Sequence, residues 1–560
     1  VPFGEERSVT DPMTTTPVLQ RTLAAVLDKQ VASRPDQAAV IDARTGRSLD
    51  YAGLQRAAFR LAGGLDGIGV ARHEPVLVML DDHIDMVVTW AGIAVGARIE
   101  VPVNTAYKGD MLRHVLAHSG ARTAIVEAAY CARIAEVLDD VPELRTIVVR
   151  GGPVEADAHR HRGTGGAELP GRVSVHDFAE LLTADPVRPG PPHVSDIATI
   201  IYTSGTEGRS KGVLCPHGHA FQTSASYTFE TTPDDVVLVM LPLFHAGGLF
   251  AGVYNALRGG ATAVLATFTA SGFWDEVRRH GCTQTLLMGA MIEFLWRAPA
   301  SAGDREHTLR NVTAVPAMPY LTEFAERFGL NVTSSYGQSE CGTVTLTDPG
   351  AARPFLCGRP RSFIEMKVVD DDDVEVPPGV VGEFAVRSSE PWSMFSGFHR
   401  DPETTVHAWR NQWMHTGDAG YRQEDGQFVF VDRKKDALRR RGENVSSMEV
   451  ERHLLARDDV AAAAIIAVPS EHLEDDIKAV LVLAEGAAFD PEAILREMVE
   501  KLPYFMVPRY YEAVVAFPMT QTHKVQKVEL RRAGVTQSTW DCEAHGLVVT
   551  RSGLKVRERA

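Results

Sequence analysis

The run from Ile197 to Val213 constrains this chain more than any other stretch. Its first part, Ile197-Ala-Thr-Ile-Ile-Tyr202, is apolar and rich in β-branched residues, which predicts a buried strand. The run then breaks into hydroxyls and glycines. Thr203, Ser204 and Thr206 supply short side-chain donors, while Gly205 and Gly208 let backbone N–H groups turn toward one point. Lys211 adds a positive charge on a flexible stem. Converging donors and a cation can replace the water around several anionic oxygens, so the loop suits a polyphosphate.

Two other motifs compete for the same residues. The Walker loop needs four residues between its first glycine and a Gly-Lys pair, and Gly205 and Lys211 have the wrong spacing. Gly208-Arg-Ser-Lys-Gly212 matches the G-x-S-x-G elbow of hydrolases, but that elbow must follow its strand directly and open a helix. Thr203 to Gly208 intervene here, and Pro216 soon after disfavours a helix. The hydrolase reading fails on context.

Strand and helix patterns alternate along the preceding chain. Residues 1–20 are rich in Thr and Pro and read as loosely ordered. Helical patterning from Leu19 leads to Arg34, followed by a strand-like Ala38-Ala-Val-Ile-Asp. From Tyr51 to Leu65 an amphipathic helix is predicted, with Leu54, Ala57, Ala58 and Leu61 on one face. Val76 to Leu80 reads as a strand, and Met86 to Ala97 as a buried helix too short to span a bilayer, which needs roughly 20 residues. Such alternation predicts βαβ units and a largely parallel sheet. With 560 residues the chain is long enough for several domains.

Charge and cysteine usage exclude some functions. A formal net charge of −16 argues against nonspecific binding to nucleic acid or an anionic membrane, so an anionic ligand needs a local basic site. The six cysteines (131, 215, 282, 341, 357 and 542) are scattered, with no C-x-x-C, as expected of reduced thiols in the cytoplasm. Val-Pro-Phe-Gly-Glu-Glu-Arg at the start lacks the shape of a signal peptide. His159 and His161 lie in a Gly- and Pro-rich stretch, 151–172, that reads as a solvated surface loop rather than a metal site.

Five further motifs follow in order. Leu241-Pro-Leu-Phe-His-Ala-Gly-Gly-Leu centres on His245, which can be read as a satisfied core histidine or as a pocket residue. Ser334-Ser-Tyr-Gly-Gln-Ser-Glu340 joins an aromatic ring, hydroxyls and a carboxylate. His415-Thr-Gly-Asp-Ala-Gly-Tyr421 carries Asp418, and Asp432-Arg-Lys-Lys-Asp-Ala-Leu-Arg-Arg-Arg-Gly442 is densely basic. Last comes Phe517-Pro-Met-Thr-Gln-Thr-His-Lys524 with a basic, amphipathic tail. Asp370 to Asp373 could mimic a cation site but read as a solvated hairpin turn.

Tyr-Thr-Ser-Gly-Thr-x-Gly-x-x-Lys-Gly at 202–212 and the five later motifs, in this order, resemble the adenylate-forming superfamily, in its acyl-CoA ligase branch. The resemblance runs from about Leu19 to Arg531. It implies an α/β fold: a large N-terminal domain of parallel-type α/β sheets with a small β-barrel-like part, and a small mobile α+β C-terminal domain. The expected division is 1–432, a hinge at 433–437 and 438–560. ATP, Mg²⁺ and coenzyme A are the implied ligands, with a small-molecule carboxylic acid as substrate. The implied reaction forms an acyl-adenylate and then passes the acyl group to a thiol. Coenzyme A is the expected acceptor, since no carrier module follows the small domain; a separate carrier protein is the alternative partner.

Roles carry over residue by residue. Thr203, Ser204, Gly205, Thr206, Gly208, Lys211 and Ser339 would bind phosphate, and Tyr336 and Gly337 adenine. Asp418 and Arg433 would contact ribose, and Glu340 would ligate Mg²⁺, a hard cation suited to oxygen ligands. Lys524, with Lys211 and His245, would be catalytic, and Lys435 would mark the hinge. Arg439, Arg441 and Gly442 are candidates for coenzyme A phosphates, although this charge run reads equally as a solvated face. His245, Gly247, Gly248, Gly289 and Ala317 would line the acyl pocket, and the small residues, Ala290 among them, suggest room for a sizeable apolar acid. Besides Ser339, which stands where threonine is commoner and keeps the hydroxyl, the chain departs from the pattern at four places. Glu207 puts a carboxylate in the phosphate loop, Ser210 replaces a common proline, His523 replaces a glycine, and Val315-Pro-Ala-Met-Pro lacks a glycine pair.

Overall fold

The computed structural model describes residues 11–151, 162–163, 167–168, 171–186, 188–203, 210–225, 229–318, 320–433, 438–440, 443–445, 447–470, 475–502, 504, 506–519, 525–550 and 553–556. The chain falls into two compact units. One comprises Val1–Met366 with Val386–Met414, the other Lys367–Ala385 with His415–Ala560.

The first unit is built from strands β1 (Ala38–Asp42), β2 (Ser48–Asp50), β3 (Pro75–Met79), β4 (Ile99–Pro102), β5 (Thr123–Glu127), β6 (Thr146–Arg150), β7 (Ser174–Asp177), β8 (Ile197–Thr203), β9 (Lys211–Pro216), β10 (Val236–Val239), β11 (Thr262–Leu265), β12 (Gln284–Met288), β13 (Asn311–Val315), β14 (Asn331–Gln338), β15 (Gly342–Leu346) and β16 (Leu356–Pro360). One sheet runs β9-β8-β4-β3-β5-β6-β7, parallel from β8 to β7 and closed by the antiparallel β8–β9 hairpin. The strands of the other run β16-β15-β14-β13-β12-β10-β11-β1-β2, parallel from β14 to β1. The chain leaves β3 for β4 on one side and then takes β5 on the other; β10 is likewise flanked by β11 and β12. Such reversals open a crevice beyond the carboxyl ends of the strands, where α/β folds bind ligands.

Helices form where the sequence predicts them. Helix α1 (Leu23–Ser33) starts at Thr22, whose hydroxyl accepts from the Ala25 N–H at 3.2 Å. Helix α2 (Tyr51–Gly67) buries Tyr51, Leu54, Ala58, Leu61 and Leu65, one face of a 3.6-residue period. Every residue of α3 (Ile84–Val95) is buried, and Trp90 meets the Tyr254 ring edge-on at 5.4 Å. Burial on this scale contributes several kcal/mol for one aromatic side chain. Helix α4 (Gly109–Ser119) ends at Gly120, whose left-handed φ of 69° suits glycine.

Two expectations need correction. Residues 1–10 lie outside the description, but 11–20 are folded onto the rest of the unit rather than loosely ordered. Asp11 caps a turn at Pro12–Thr15, Met13 is buried, and the Asp11 carboxylate takes both arms of the buried Arg361, at 2.7 and 2.8 Å. A buried guanidinium requires such a partner, which sequence patterning does not reveal. The second correction concerns Pro216. Helix α5 (His217–Ser224) begins immediately after it. Proline disturbs a helix interior but not its N-terminus, where the missing N–H has no intrahelical partner to lose. The hydrolase elbow is still excluded, because Ser210 leads into strand β9 rather than a helix.

Most of the 151–172 stretch, with His159 and His161, lies outside the described residues; Arg162–Gly163 pairs with Ala167–Glu168. All six cysteines are buried thiols outside any disulfide. Among the described residues no helix is long and apolar enough to cross a membrane.

In the second unit, β17 (Met414–Arg422) pairs antiparallel with β18 (Phe428–Arg433). A four-stranded sheet follows in the order β19 (Val460–Pro469), β20 (Asp475–Leu483), β21 (Tyr510–Ala513) and β22 (Trp540–Asp541). Helix α6 (Ser447–Leu455) buries Val450 and Leu454 against Ile465, Ile477 and Leu481. Helix α7 (Lys527–Ala533) is tied to it by Lys527, whose Nζ lies 2.8 Å from both Glu451 Oε1 and Ser447 Oγ. The aspartates at 370–373 form the expected turn: Asp370 Oδ1 accepts from the N–H groups of Asp372 and Val374 at 3.0 and 2.9 Å.

Glu100 departs from this apolar regularity. It sits on β4 in register with Thr199 of β8 and is wholly buried, and among the described residues its hydrogen-bond partner is the Thr199 hydroxyl, at 3.3 Å. Burial pushes its carboxyl up to about 8, with the Thr199 hydrogen bond opposing weakly. A folded-state value above the ordinary carboxylate range stabilises the fold at low pH and withdraws that contribution as pH rises toward 8. Glu100→Gln should therefore melt above the parent at pH 8.5, by at least about 2 °C, with the gap closing at pH 5. Equal melting temperatures at both pH values would refute the assignment.

Candidate active site

The strand order gathers the candidate residues of the first unit. Thr203 ends β8, Lys211 begins β9, and the two are direct partners across the hairpin. Residues 204–209, which include Ser204, Gly205, Thr206, Glu207 and Gly208, lie outside the description. Lys211 Nζ sits 5.3 Å from the centre of the Phe398 ring. His245, Gly247 and Gly248 follow β10, Gly289 follows β12, Ala317 follows β13, and Tyr336 to Glu340 complete β14 and its turn. All of these therefore lie at the carboxyl ends of neighbouring parallel strands.

The turn after β14 is built on glycine. At Gly337 a Cβ would lie 2.1 Å from the Gly342 carbonyl oxygen, so no larger residue fits. Tyr336 is buried, and Ser339 and Glu340 are half-buried. Helix α5 supports this turn from behind. Gln222 Nε2 donates to the Thr343 carbonyl at 2.5 Å, and Arg361 Nη1 donates to the Gln222 and Thr343 carbonyls at 3.1 and 3.2 Å. His219, wholly buried, faces the Ser339 backbone, and burial pulls its ring down to about 4. Burial, followed by the charge of Glu340, raises the Cys215 thiol well above its ordinary range, so that thiol stays protonated.

His245 is exposed, which removes the core-histidine reading; its Nδ1 accepts from the Gly247 N–H at 3.3 Å. The Leu241–Leu249 loop is anchored by a residue that sequence patterning missed. Asp82, just beyond β3, accepts the Leu243 N–H at 2.7 Å, and burial raises its carboxyl despite that bond. This contact joins the two reversal points of the sheets.

The small residues leave less space than expected. A Cβ at Gly248 would lie 2.3 Å from the Pro242 carbonyl oxygen, so Gly248 serves close backbone packing rather than a cavity. A Cβ at Gly289 would meet Met318 Sδ at 2.8 Å and Pro316 Cδ at 3.4 Å. The segment of Ala317, itself buried, thus fills the space beside Gly289 with an adaptable thioether.

Two histidines of α4 meet the stems of the Thr203–Lys211 loop. His114 Nε2 lies 2.8 Å from the Ser210 carbonyl oxygen, and His118 Nδ1 lies 2.8 Å from the Tyr202 hydroxyl. Their rings stack at 5.2 Å, and His399 crosses His118 at 5.4 Å. Burial, then the His399 and His114 rings, holds His118 below the ordinary histidine range. Among the described residues no group of His, Cys, Asp and Glu forms a metal cluster.

In the second unit Asp418 is buried, and its backbone pairs directly with Arg433 across β17 and β18. Arg439 lies on a short strand, Leu438–Arg440, paired with Glu443–Val445. The side chains of Arg433 and Arg439, and all of Lys435, Arg441, Gly442, His523 and Lys524, lie outside the described residues.

Residues 27–399 match the family model described as AMP-binding enzyme, and 449–524 match the model described as AMP-binding enzyme C-terminal domain. A crotonobetaine/carnitine–CoA ligase of Salmonella typhimurium is 29% identical over 500 residues, covering 87% of this chain and 93% of that protein. Among solved structures, a benzoate CoA ligase from Burkholderia xenovorans superposes with a TM-score of 0.78 at 25% identity, over 91% of this chain and 99% of that one. An O-succinylbenzoate coenzyme A synthetase from Bacillus subtilis, in complex with AMP, has the same fold, with a TM-score of 0.77 at 22% identity over 91% of this chain and 99% of that one.

Proposed function

The chain belongs to the family of AMP-binding enzymes, and from that premise we propose that it is an ATP-dependent carboxylate–CoA ligase acting on an apolar acid. The observation that carries this reading is that His245, Tyr336, Ser339 and Glu340 follow or end parallel strands of one sheet at their carboxyl ends, while Lys211 faces Thr203 across the hairpin that closes the other.

The reaction has two steps. A carboxylate oxygen attacks the α-phosphorus of ATP; the new C–O–P bond forms as the α–β anhydride breaks and pyrophosphate leaves. A thiol sulfur then attacks the acyl carbon, AMP departs and the thiol proton is released. The obstacle in the first step is electrostatic, because an anion must approach a triphosphate carrying about four negative charges. Lys211 and Lys524, with the donors of 203–208 and Ser339, offset that charge. Tyr336 and Gly337 face adenine, Asp418 and Arg433 the ribose, and His245 the carboxylate. Glu340 suits Mg²⁺, which binds through one or two carboxylates plus substrate phosphates and would neutralise phosphate charge when present. Ala317, Met318 and Pro316 give the acyl site an apolar wall.

The proposed division is a large domain over 1–432, a hinge at 433–437 around Lys435, and a small domain over 438–560 with Arg439, Arg441 and Gly442 available to coenzyme A. Buried cysteines outside any disulfide support a reducing, cytoplasmic setting.

The test is ATP–pyrophosphate exchange across a panel of carboxylic acids with Mg²⁺, followed by addition of coenzyme A. Exchange with one class of apolar acid, then AMP and acyl-CoA, is the expected result. An adenylate passed only to a carrier protein would replace coenzyme A as the acceptor. Formation of ADP would overturn the mechanism.

A further inference from the structure

Both stems of the phosphate loop are met by the same helix. On α4, His114 and His118 stand four residues apart and so share one face. His118 meets the Tyr202 hydroxyl just before the loop, and His114 meets the Ser210 carbonyl just after it, each at 2.8 Å. A carbonyl oxygen only accepts, so Nε2 of His114 carries the proton. The rings stack on one another and are crossed by Tyr202 at 6.2 and 5.8 Å, which fixes their orientation. Helix α4 itself is seated through the buried Leu112, Val115 and Leu116. The clamp therefore stands on a rigid element rather than on another loop.

Ser210 is where the chain departs from the proline common in this motif. Proline fixes φ near −65° and stiffens a loop stem by itself; serine does not. We propose that His114 and His118 are positioning residues that clamp the phosphate loop, with His114 replacing the restraint that proline supplies elsewhere. Neither touches the reacting atoms. Their effect is to hold Thr203 and Lys211 opposite each other before MgATP arrives, which lowers the ordering cost of binding.

The inference rests on the ATP-binding reading above. His114→Phe keeps the ring stack and removes the donor, so its melting temperature should match the parent. Its affinity for MgATP, measured calorimetrically without acid, should fall about five- to tenfold, the equivalent of one hydrogen bond. KM for ATP should rise in step while kcat at saturating ATP is kept. Ser210→Pro added to His114→Phe should restore the affinity. His118→Phe should also weaken binding, but Ser210→Pro should not rescue it, because that contact holds the other stem. Unchanged affinity in His114→Phe, or equal rescue of both variants, overturns the clamp. A parent protein that binds no MgATP overturns the ATP reading itself, and the clamp with it.

Discussion

Replacing Lys524 by alanine should slow acyl-adenylate formation by about 10²–10³, the loss of one charge-assisted contact in the transition state, or roughly 3–4 kcal/mol. The same variant, given ready-made acyl-adenylate and coenzyme A, should still form thioester, since no triphosphate charge then has to be offset. The surrounding fold makes this a clean experiment. Met519 and Val525 pair as an antiparallel bridge, Gln526 N–H donates to the Pro518 carbonyl at 2.7 Å, and Lys527 ties α7 to α6. These contacts do not involve the Lys524 side chain and remain in the variant. A contrasting substitution probes the proposed hinge. If the small domain turns about Lys435 between half-reactions, Lys435→Pro should stiffen that turn and spare adenylation more than thioester formation. Separate timing of both half-reactions in both variants decides the matter. Equal losses in both steps would leave Lys524 as a structural residue and sink the alternation.

Much of the large unit could be read from periodicity, because its elements are organised by local burial. The alternation of α2, β3 and α3 follows from apolar spacing alone, and β8 from a run of β-branched residues. What escaped the sequence are contacts between residues far apart in the chain. His114 meets Ser210 across 96 positions, and Asp82 meets Leu243 across 161. No local pattern marks either residue: His114 looks like any polar position on an amphipathic helix, and Asp82 like one of several acids in a loop. The space expected beside Gly248 and Gly289 was misjudged for the same reason. A glycine in sequence does not distinguish an open pocket from a backbone pressed against it, and only the Pro242 carbonyl and Met318 thioether settle which is present. Pro216 shows a different error, in which a residue's general character was applied without its position, since proline is welcome where a helix begins.

Lys478→Met should cost the small domain about 3–5 kcal/mol, the scale on which a buried ion pair loses one partner and leaves the other charge stranded. Lys478 lies on β20, is 2% exposed, and its ammonium contacts Glu512 Oε2 on β21 and the Gly534 carbonyl, the latter at 2.5 Å. Glu512 also accepts the hydroxyls of Thr536, Ser538 and Thr539, at 2.8, 2.7 and 2.7 Å. Residues 534–539 lie beyond the stretch that matches the C-terminal family model, and this pair fastens them onto the sheet. Burial alone would raise the Glu512 carboxyl, but Lys478 and the three hydroxyls outweigh it and hold it at about 2. A depressed folded-state value stabilises above the ordinary carboxylate range and is lost as pH falls, so the contribution of Glu512 should disappear between about pH 4.5 and 2. Glu512→Gln should flatten that acid limb. The double variant Lys478→Met/Glu512→Gln should recover part of the single-variant loss, because removing both charges leaves no stranded carboxylate. Hydrogen exchange of the β20 and β21 amides reads the result locally, free of the larger unit's own transition. If Lys478→Met leaves those amides as protected as in the parent, the pair does not hold the tail, and β22 must be retained by Arg509, whose guanidinium grips Asp541 at 2.9 and 3.0 Å.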